Sequence, residues 1–262
     1  MQIKINRLTI LSCHSILDQV AEDIAKGIAV DALPDKDIVV CIGAHKRFRG
    51  LRQKAGFKIC VQTEHFLDAR GQALWRKPRW FRMLTNLLIC DLMLDLSIYN
   101  KKVYRWLPRA LKNKIVFGAK IFPSAPVQHV EGNGTAVFFG TVNARRTKLI
   151  GASEAYVTLD EGLFSAALDD KIANASAVLN VHFSTGVYTE YPRLLSAYLA
   201  GKPLVSETLS PDLEEGRHYI ALGGQMNTES FAKIFANFST EFAAHNRFTD
   251  FFGQLCQVIW FC

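Results

Sequence analysis

The sequence lacks a long apolar run free of charge. The longest candidate, Met83 to Tyr99, contains Asn86, Asp91 and Asp95, whereas a membrane span needs about 20 nearly uncharged residues, so no transmembrane helix is expected. Paired cysteines are also missing. Cys13, Cys41, Cys60, Cys90, Cys256 and Cys262 stand singly, with no Cys-x2-Cys to chelate zinc, and they read as buried, reduced thiols. There is no Gly-x-Gly-x-x-Gly after the first strand and no Gly-x4-Gly-Lys-Ser/Thr, so dinucleotide redox chemistry and P-loop hydrolysis lose their usual support. Asp35-Lys-Asp37 is formally an Asp-x-Asp, but it precedes a strand, and ligands in such sheets gather after strands. No metal site is expected, and no cofactor. The start, Met-Gln-Ile-Lys-Ile-Asn-Arg, runs into a strand pattern without the charged, apolar and small-residue order of a signal peptide, and a cytoplasmic protein is expected. No sequence repeat or low-complexity stretch is present.

What is there is globular in character: 262 residues, 49% hydrophobic, 21% charged and 11% aromatic, too apolar for intrinsic disorder. The net charge of +7 is unevenly spread. Residues 1–130 hold 22 Lys+Arg against 10 Asp+Glu, and residues 131–262 hold 9 against 14, so the halves carry +12 and −5 and face partners differently. Each half alternates β-rich runs with helical stretches, the pattern of a parallel sheet covered by helices. Strands are expected near Leu8–Ser12, Ile38–Ile42, Phe57–Gln62, Asp91–Ser97 and Lys114–Gly118, then at Ala136–Phe139, Ala155–Leu159, Ala177–His182 and Pro203–Glu207. Helices are expected at Ile16–Ala29, Tyr99–Leu111, from Ala144, at Leu163–Asn174 and at Pro192–Ala200, the last ended by Gly201 as a left-handed cap. The breaker-rich stretch from Phe122 to Gly134 marks a boundary. The expected architecture is α/β, two Rossmann-like βαβ domains facing a central cleft: 1–127 on the acceptor side, 128–245 on the nucleotide side, and 246–262 as a C-terminal helix packing back towards the first domain.

The most informative stretch is Ala177-Val-Leu-Asn-Val-His182, then Phe-Ser-Thr-Gly-Val-Tyr-Thr-Glu190-Tyr-Pro-Arg193, then Ala200-Gly-Lys-Pro-Leu-Val-Ser-Glu207. Together with Val137-Phe-Phe-Gly-Thr-Val-Asn-Ala-Arg-Arg146, it resembles the donor-binding half of GT-B glycosyltransferases. The resemblance is to the bacterial branch (glycosyl transferases group 1) that includes the spore-maturation CgeB-like proteins, and it spans about residues 136–220. It implies a transferase that moves a sugar from a nucleotide-sugar donor to a glycan, lipid-linked or other acidic acceptor in cell-surface polysaccharide or glycoconjugate synthesis. In many retaining members a Glu-x7-Glu precedes the Gly-Lys-Pro turn. Here those positions are Tyr188 and Ser196, and Glu190 is offset by two.

The residues themselves suit such a donor. A diphosphate needs open backbone N–H groups at strand-to-helix turns, which Gly140-Thr141 and Ser184-Thr185-Gly186 offer, and Arg145, Arg146 and Lys148 add positive charge beside the first. Glu190, at a helix start, accepts two hydrogen bonds and suits a pair of sugar hydroxyls, with Arg193 one turn on. Glu190→Gln is therefore expected to weaken donor binding and spare the fold. His182 ends a strand where it either donates to a ligand oxygen or serves the core. Catalysis is expected from positioning and from stabilising the leaving diphosphate with Arg146 and the two turns, without metal.

In the first half, His14 follows a strand with Asp18 four residues on, a base and its orienting carboxylate or else a helix cap with Ser15. Glu64, beside His65, occupies the equivalent point after a later strand. The segment around Trp75, Arg76, Lys77, Arg79, Trp80 and Arg82 interleaves cations with aromatics, as at an anionic membrane surface or an acidic acceptor. Peripheral association with the inner membrane face is the expectation, and nucleic acid is disfavoured as a partner. The rival reading is a non-enzymatic two-domain binding protein that uses its basic half to hold nucleic acid or an acidic polymer.

Overall fold

Runs of β-branched and aliphatic residues give parallel strands in both halves. The computed structural model describes residues 1–74 and 80–252. Its contacts divide the chain into two units, Met1–Ala125 together with the segment from Asn246, and Pro126–His245. The Trp75, Arg76, Lys77 and Arg79 positions lie outside the described residues, as do 253–262.

The first unit contains β1 (Gln2–Ile5), β2 (Leu8–Leu11), α1 (Ser15–Lys26), β3 (Ile38–Ile42), β4 (Phe57–Gln62), α2 (Trp80–Ile89), β5 (Leu92–Asp95), α3 (Arg109–Lys112) and β6 (Ile115–Phe117). The six strands lie in chain order, β1 antiparallel to β2 and the rest parallel. All five residues of β3 are buried, which is why it reads as an unbroken apolar run and not as an alternation. The opening hairpin was not apparent from sequence; its turn depends on Asn6 with φ 50°, a conformation that asparagine tolerates. The expected helix at Tyr99–Leu111 is broken. Ile98–Tyr104 is a 3-10 segment and α3 starts only after Pro108, whose ring and missing N–H prevent a continuous α-helix. Cys41, Cys60 and Cys90 are buried as expected, but Cys13 is exposed, because it stands beyond the end of β2. The segment from Asn246 joins this unit through Phe122, whose N–H donates to the Asn246 carbonyl at 3.0 Å and whose carbonyl accepts from the Phe248 N–H at 2.9 Å.

The second unit contains β7 (Ala136–Phe138), α4 (Ala144–Ile150), β8 (Tyr156–Thr158), α5 (Ser165–Asn174), β9 (Ala177–Asn180), α6 (Tyr191–Leu199), β10 (Leu204–Ser206), β11 (Ile220–Ala221) and α7 (Thr228–Asn237). Its sheet is parallel throughout, in the order β8-β7-β9-β10-β11. The chain steps outward from β7 to β8, then returns past β7 to β9. That reversal opens a crevice at the carboxyl ends of β7 and β9, the place where open parallel sheets bind ligands. The first unit's parallel strands run in one direction without such a reversal.

The Gly-Lys-Pro turn before β10 has a structural job. Gly201 has φ +71°, and a Cβ there would lie 2.5 Å from the Gln128 carbonyl. Lys202 is buried, and its Nζ donates to the carbonyls of Val130 at 3.0 Å and Glu131 at 2.9 Å; burial pushes this ammonium below its ordinary pKa. The turn thus fastens the stretch that leads into β7.

Candidate functional site

Five charged side chains gather at the carboxyl ends of β7, β9 and β10. Arg146, in the first turn of α4, is 4% exposed. Its Nε donates to the Val181 carbonyl at 2.9 Å, Nη1 to the Thr141 carbonyl at 2.8 Å, and Nη2 to Glu190 Oε1 at 2.9 Å. One guanidinium therefore ties the loop after β7, the loop after β9 and the start of α6. Arg193, 8% exposed, donates from Nη1 to Asn180 Oδ1 at 2.7 Å and to Glu190 Oε2, and from Nη2 to the Phe139 carbonyl at 3.2 Å. The two guanidinium carbons lie 5.0 and 4.9 Å from the Phe138 ring centroid, close enough for cation–π attraction. Burial pushes the Arg146 pKa down and Glu190 opposes the shift; an arginine so placed stays charged.

Arg145 lies on the other side of the same turn. It grips Glu207, which follows β10, through Nη1 at 2.9 Å and through Nη2, and Nη1 also donates to the His182 carbonyl at 2.8 Å. The His182 N–H donates to Glu207 Oε2 at 2.8 Å. Burial favours the neutral Glu207 acid, but Arg145 and this N–H outweigh it and hold the carboxyl below its ordinary pKa. In charge, Arg145 and Glu207 cancel, while Arg146, Arg193 and Glu190 leave +1. The group can attract an anion and still keep every buried charge paired.

His182 is fully buried and stacks on Tyr188 with ring centroids 4.1 Å apart. Burial lowers its pKa, so the ring is neutral near pH 7. Nδ1 faces the Gly186 carbonyl at 3.2 Å, which places the proton on Nδ1 and leaves Nε2 as an acceptor. Among the described residues Nε2 has no hydrogen-bond partner, and neither does the buried Arg193 Nε. The backbone N–H groups of Gly140, Thr141, Thr185 and Gly186 likewise make no hydrogen bond among the described residues. Gly140 has φ +111°, and a Cβ there would approach Arg193 Nη2 to 3.3 Å, so glycine keeps this turn open against the guanidinium.

All nine residues read from the sequence as donor-binding belong to this one region: Gly140, Thr141, Arg145, Arg146, His182, Thr185, Gly186, Glu190 and Arg193. Their pairing differs from the expectation. Both Glu190 oxygens already accept from arginine, and Arg146 is committed to protein carbonyls and Glu190. Asn180 and Glu207 were missed as site residues. Glu207 stood in plain sight at the end of the Gly-Lys-Pro strand, a position that faces a crevice once the sheet order is known. Of the two positions where a Glu-x7-Glu would fall, Tyr188 stacks on His182 and Ser196 bonds back to the Pro192 carbonyl at 3.2 Å. The carboxylates come from Glu190 and Glu207 instead.

No protein-family model and no curated protein sequence matches the chain. Among solved structures, HepE of Anabaena, determined in complex with UDP, is similar over 93% of this chain and 82% of its own, at 8% identity and a TM-score of 0.50. The fold is GT-B-like. Accessory secretory proteins 1, 2 and 3 of Streptococcus pneumoniae match at 11% identity over 91% of this chain and 55% of theirs, with a TM-score of 0.48. The lipopolysaccharide outer core galactosyltransferase WaaB matches at 15% identity over 88% of this chain and 70% of its own, with a TM-score of 0.33.

Within the first unit of this GT-B-like chain, Glu64 follows β4, with Oε1 3.6 Å from Nε2 of buried His45. His45, at the carboxyl end of β3, is a partner that the sequence did not suggest. The Glu64 loop is held from below. Asn100 donates to the Glu64 carbonyl at 2.9 Å and accepts from the Phe66 N–H at 2.8 Å, and it also donates to Asp95 at 3.0 and 3.1 Å. Asp95, fully buried, further accepts from Tyr104 Oη and from the Ser97 N–H at 2.9 Å. Burial pushes its carboxyl up to about 7 against the pull of these donors. His14 precedes α1, exposed and without a side-chain cap bond, and Asp18 bonds the Ser12 hydroxyl instead of the histidine ring. Asp35 pairs with Arg7 at 2.9 Å. Trp80 packs inward against Phe66 and Tyr104, while Arg82 is exposed.

Proposed function

We propose that the chain is a glycosyltransferase of the nucleotide-sugar-dependent kind, taking its donor in the second unit and a glycan, lipid-linked or other acidic acceptor at its basic first unit. The observation that carries this reading is the polar cluster at the strand-order reversal between β7 and β9, where four backbone N–H groups without partners among the described residues stand beside a +1 group of buried charges. Backbone N–H groups and fixed cations are what a leaving diphosphate needs as its charge grows, because they are oriented before the reaction and lose nothing by reorganising. The UDP bound by HepE supports the same reading, as does the ordered CgeB-like resemblance of residues 136–220. Of the two roles read from sequence for His182, its full burial, its stacking on Tyr188 and its Nδ1 contact with the Gly186 carbonyl favour the core one, in which it shapes the Thr185-Gly186 turn. Glu64, which follows β4 with Oε1 3.6 Å from His45 Nε2, is the carboxylate in the first unit best placed to take the acceptor hydroxyl's proton.

Isothermal titration of the full chain against UDP-, GDP-, ADP- and CMP-sugars tests the proposal. Sugars of one nucleotide are expected to bind at micromolar to millimolar concentration, and Gly140→Ala, which strains a φ of +111° and brings a Cβ to 3.3 Å from Arg193 Nη2, is expected to weaken that binding about tenfold. Failure of all four classes to bind at millimolar concentration sinks the donor assignment.

A further inference from the structure

The first unit carries an apolar and cationic surface that the donor site does not use. Helix α2 buries Met83, Asn86 and Leu87 and turns Phe81, Arg82, Thr85 and Leu88 outward. Phe81 is 84% exposed and Leu88 60%, and their spacing of seven residues puts them on one helix face. Trp106, also 60% exposed, joins the start of this helix through Trp80, its ring 5.9 Å away and edge-on. Between Asp95 and Glu131 the chain has seven Lys/Arg and no Asp/Glu. Of these, Lys101, Lys102, Arg105 and Arg109 are exposed around Trp106 in sequence.

Large exposed rings and aliphatic side chains together on one surface mark a binding face, and the charge around them selects the partner. A polyanion such as single-stranded nucleic acid would use the rings for stacking and gain nothing from Leu88. An anionic bilayer uses both kinds of group: Leu and Phe enter the acyl boundary, Trp sits at the headgroup level, and Lys/Arg meet the anionic headgroups. We propose that the outer face of α2, with Trp106 and the cations of 101–109, rests on an anionic lipid surface. No helix among the described residues is long and apolar enough to cross a membrane, and the contact proposed is with the lipid surface alone.

Co-sedimentation of the full chain with vesicles of phosphatidylcholine, with and without phosphatidylglycerol, tests this. Binding is expected only to the anionic vesicles and is expected to fall as salt rises. Each cation near the surface contributes about a fivefold factor, so changing Lys101, Lys102, Arg105 and Arg109 together to Ser should lower the partition coefficient by well over tenfold. Phe81→Ser with Leu88→Ser should lower it about tenfold at constant charge. All six positions are exposed, and unchanged melting temperatures confirm that folding is not the cause. The proposal is overturned if wild type does not pellet with anionic vesicles. It is equally overturned if the Phe81/Leu88 variant pellets as well as wild type, which would make the surface a general polyanion site. Loss of vesicle binding with donor titration intact separates this surface from the transferase reading.

Discussion

Replacing Glu190 by alanine is expected to destabilise the second unit by about 3–5 kcal/mol, the range for removing one partner from a buried ion pair. Glu190 is the acceptor shared by Arg146 and Arg193, and both guanidiniums are at least nine-tenths buried. Without the carboxylate, two like charges remain beside one Phe138 ring. Their cation–π attraction, roughly 0.5–2 kcal/mol each, is present with or without Glu190 and does not replace it. A helix-start carboxylate acting only on the dipole would be worth about 0.3–1 kcal/mol, so the two accounts differ several-fold. Glu190→Gln keeps an acceptor but not the charge, and is expected to fall between wild type and Glu190→Ala. The sequence alone led to the expectation that Gln would spare the fold; the two arginine contacts of Glu190 lead to this different one. Urea denaturation of the full chain, followed by circular dichroism, measures the difference. An alanine variant within about 0.5 kcal/mol of wild type would show that the arginines do not depend on Glu190.

The second large effect concerns pH. The Asp95 carboxyl, raised by burial to about 7 from an ordinary 3.8, holds a proton in the folded chain that the unfolded chain has already released. Between those two values folding therefore retains a proton, and this group's contribution to stability falls as pH rises. Below about 4 both states are protonated and the contribution is full; above about 7 both are ionised and the loss is complete. From pH 5 to pH 8 the expected loss is about 2–3 kcal/mol. Asp95→Asn, which keeps an acceptor for Tyr104, should remove it. The measurement is the stability difference between wild type and variant at the two pH values; an equal difference at both would mean that Asp95 does not titrate in this window. Because Asn100 links Asp95 to the Glu64 carbonyl, the same change should alter how firmly the Glu64 loop is held.

Much of this was legible in the sequence, for a physical reason. The strand Ile38–Ile42 lies inside a parallel sheet, so burial writes it as a continuous apolar run. The turns at Gly140 and Gly201 were legible because their positive φ favours glycine. Pairing was not. Arg146 and Glu190 stand 44 residues apart, and Arg145 and Glu207 stand 62 apart. Only the return of the chain from β8 to β9 brings those stretches together, and strand order leaves no local mark. His45 was hidden likewise, because its carboxylate partner hangs from the neighbouring strand. The helix expected over Tyr99–Leu111 failed at Pro108, a breaker whose effect the apolar spacing around it obscured.

The connection through Phe122 also bears on how the chain is made. The second unit is one uninterrupted stretch, Pro126–His245, whereas the first is closed by a segment from beyond it. Phe248, Phe251 and Phe252 are almost wholly buried, and they are translated only after every strand of both sheets. On the ribosome, the unit that begins first must therefore wait with part of its apolar surface uncovered while the later unit is synthesised and can already fold. Domains emerging in order usually fold in that order; here the order of completion is inverted, and the waiting surface is what a nascent-chain chaperone would meet.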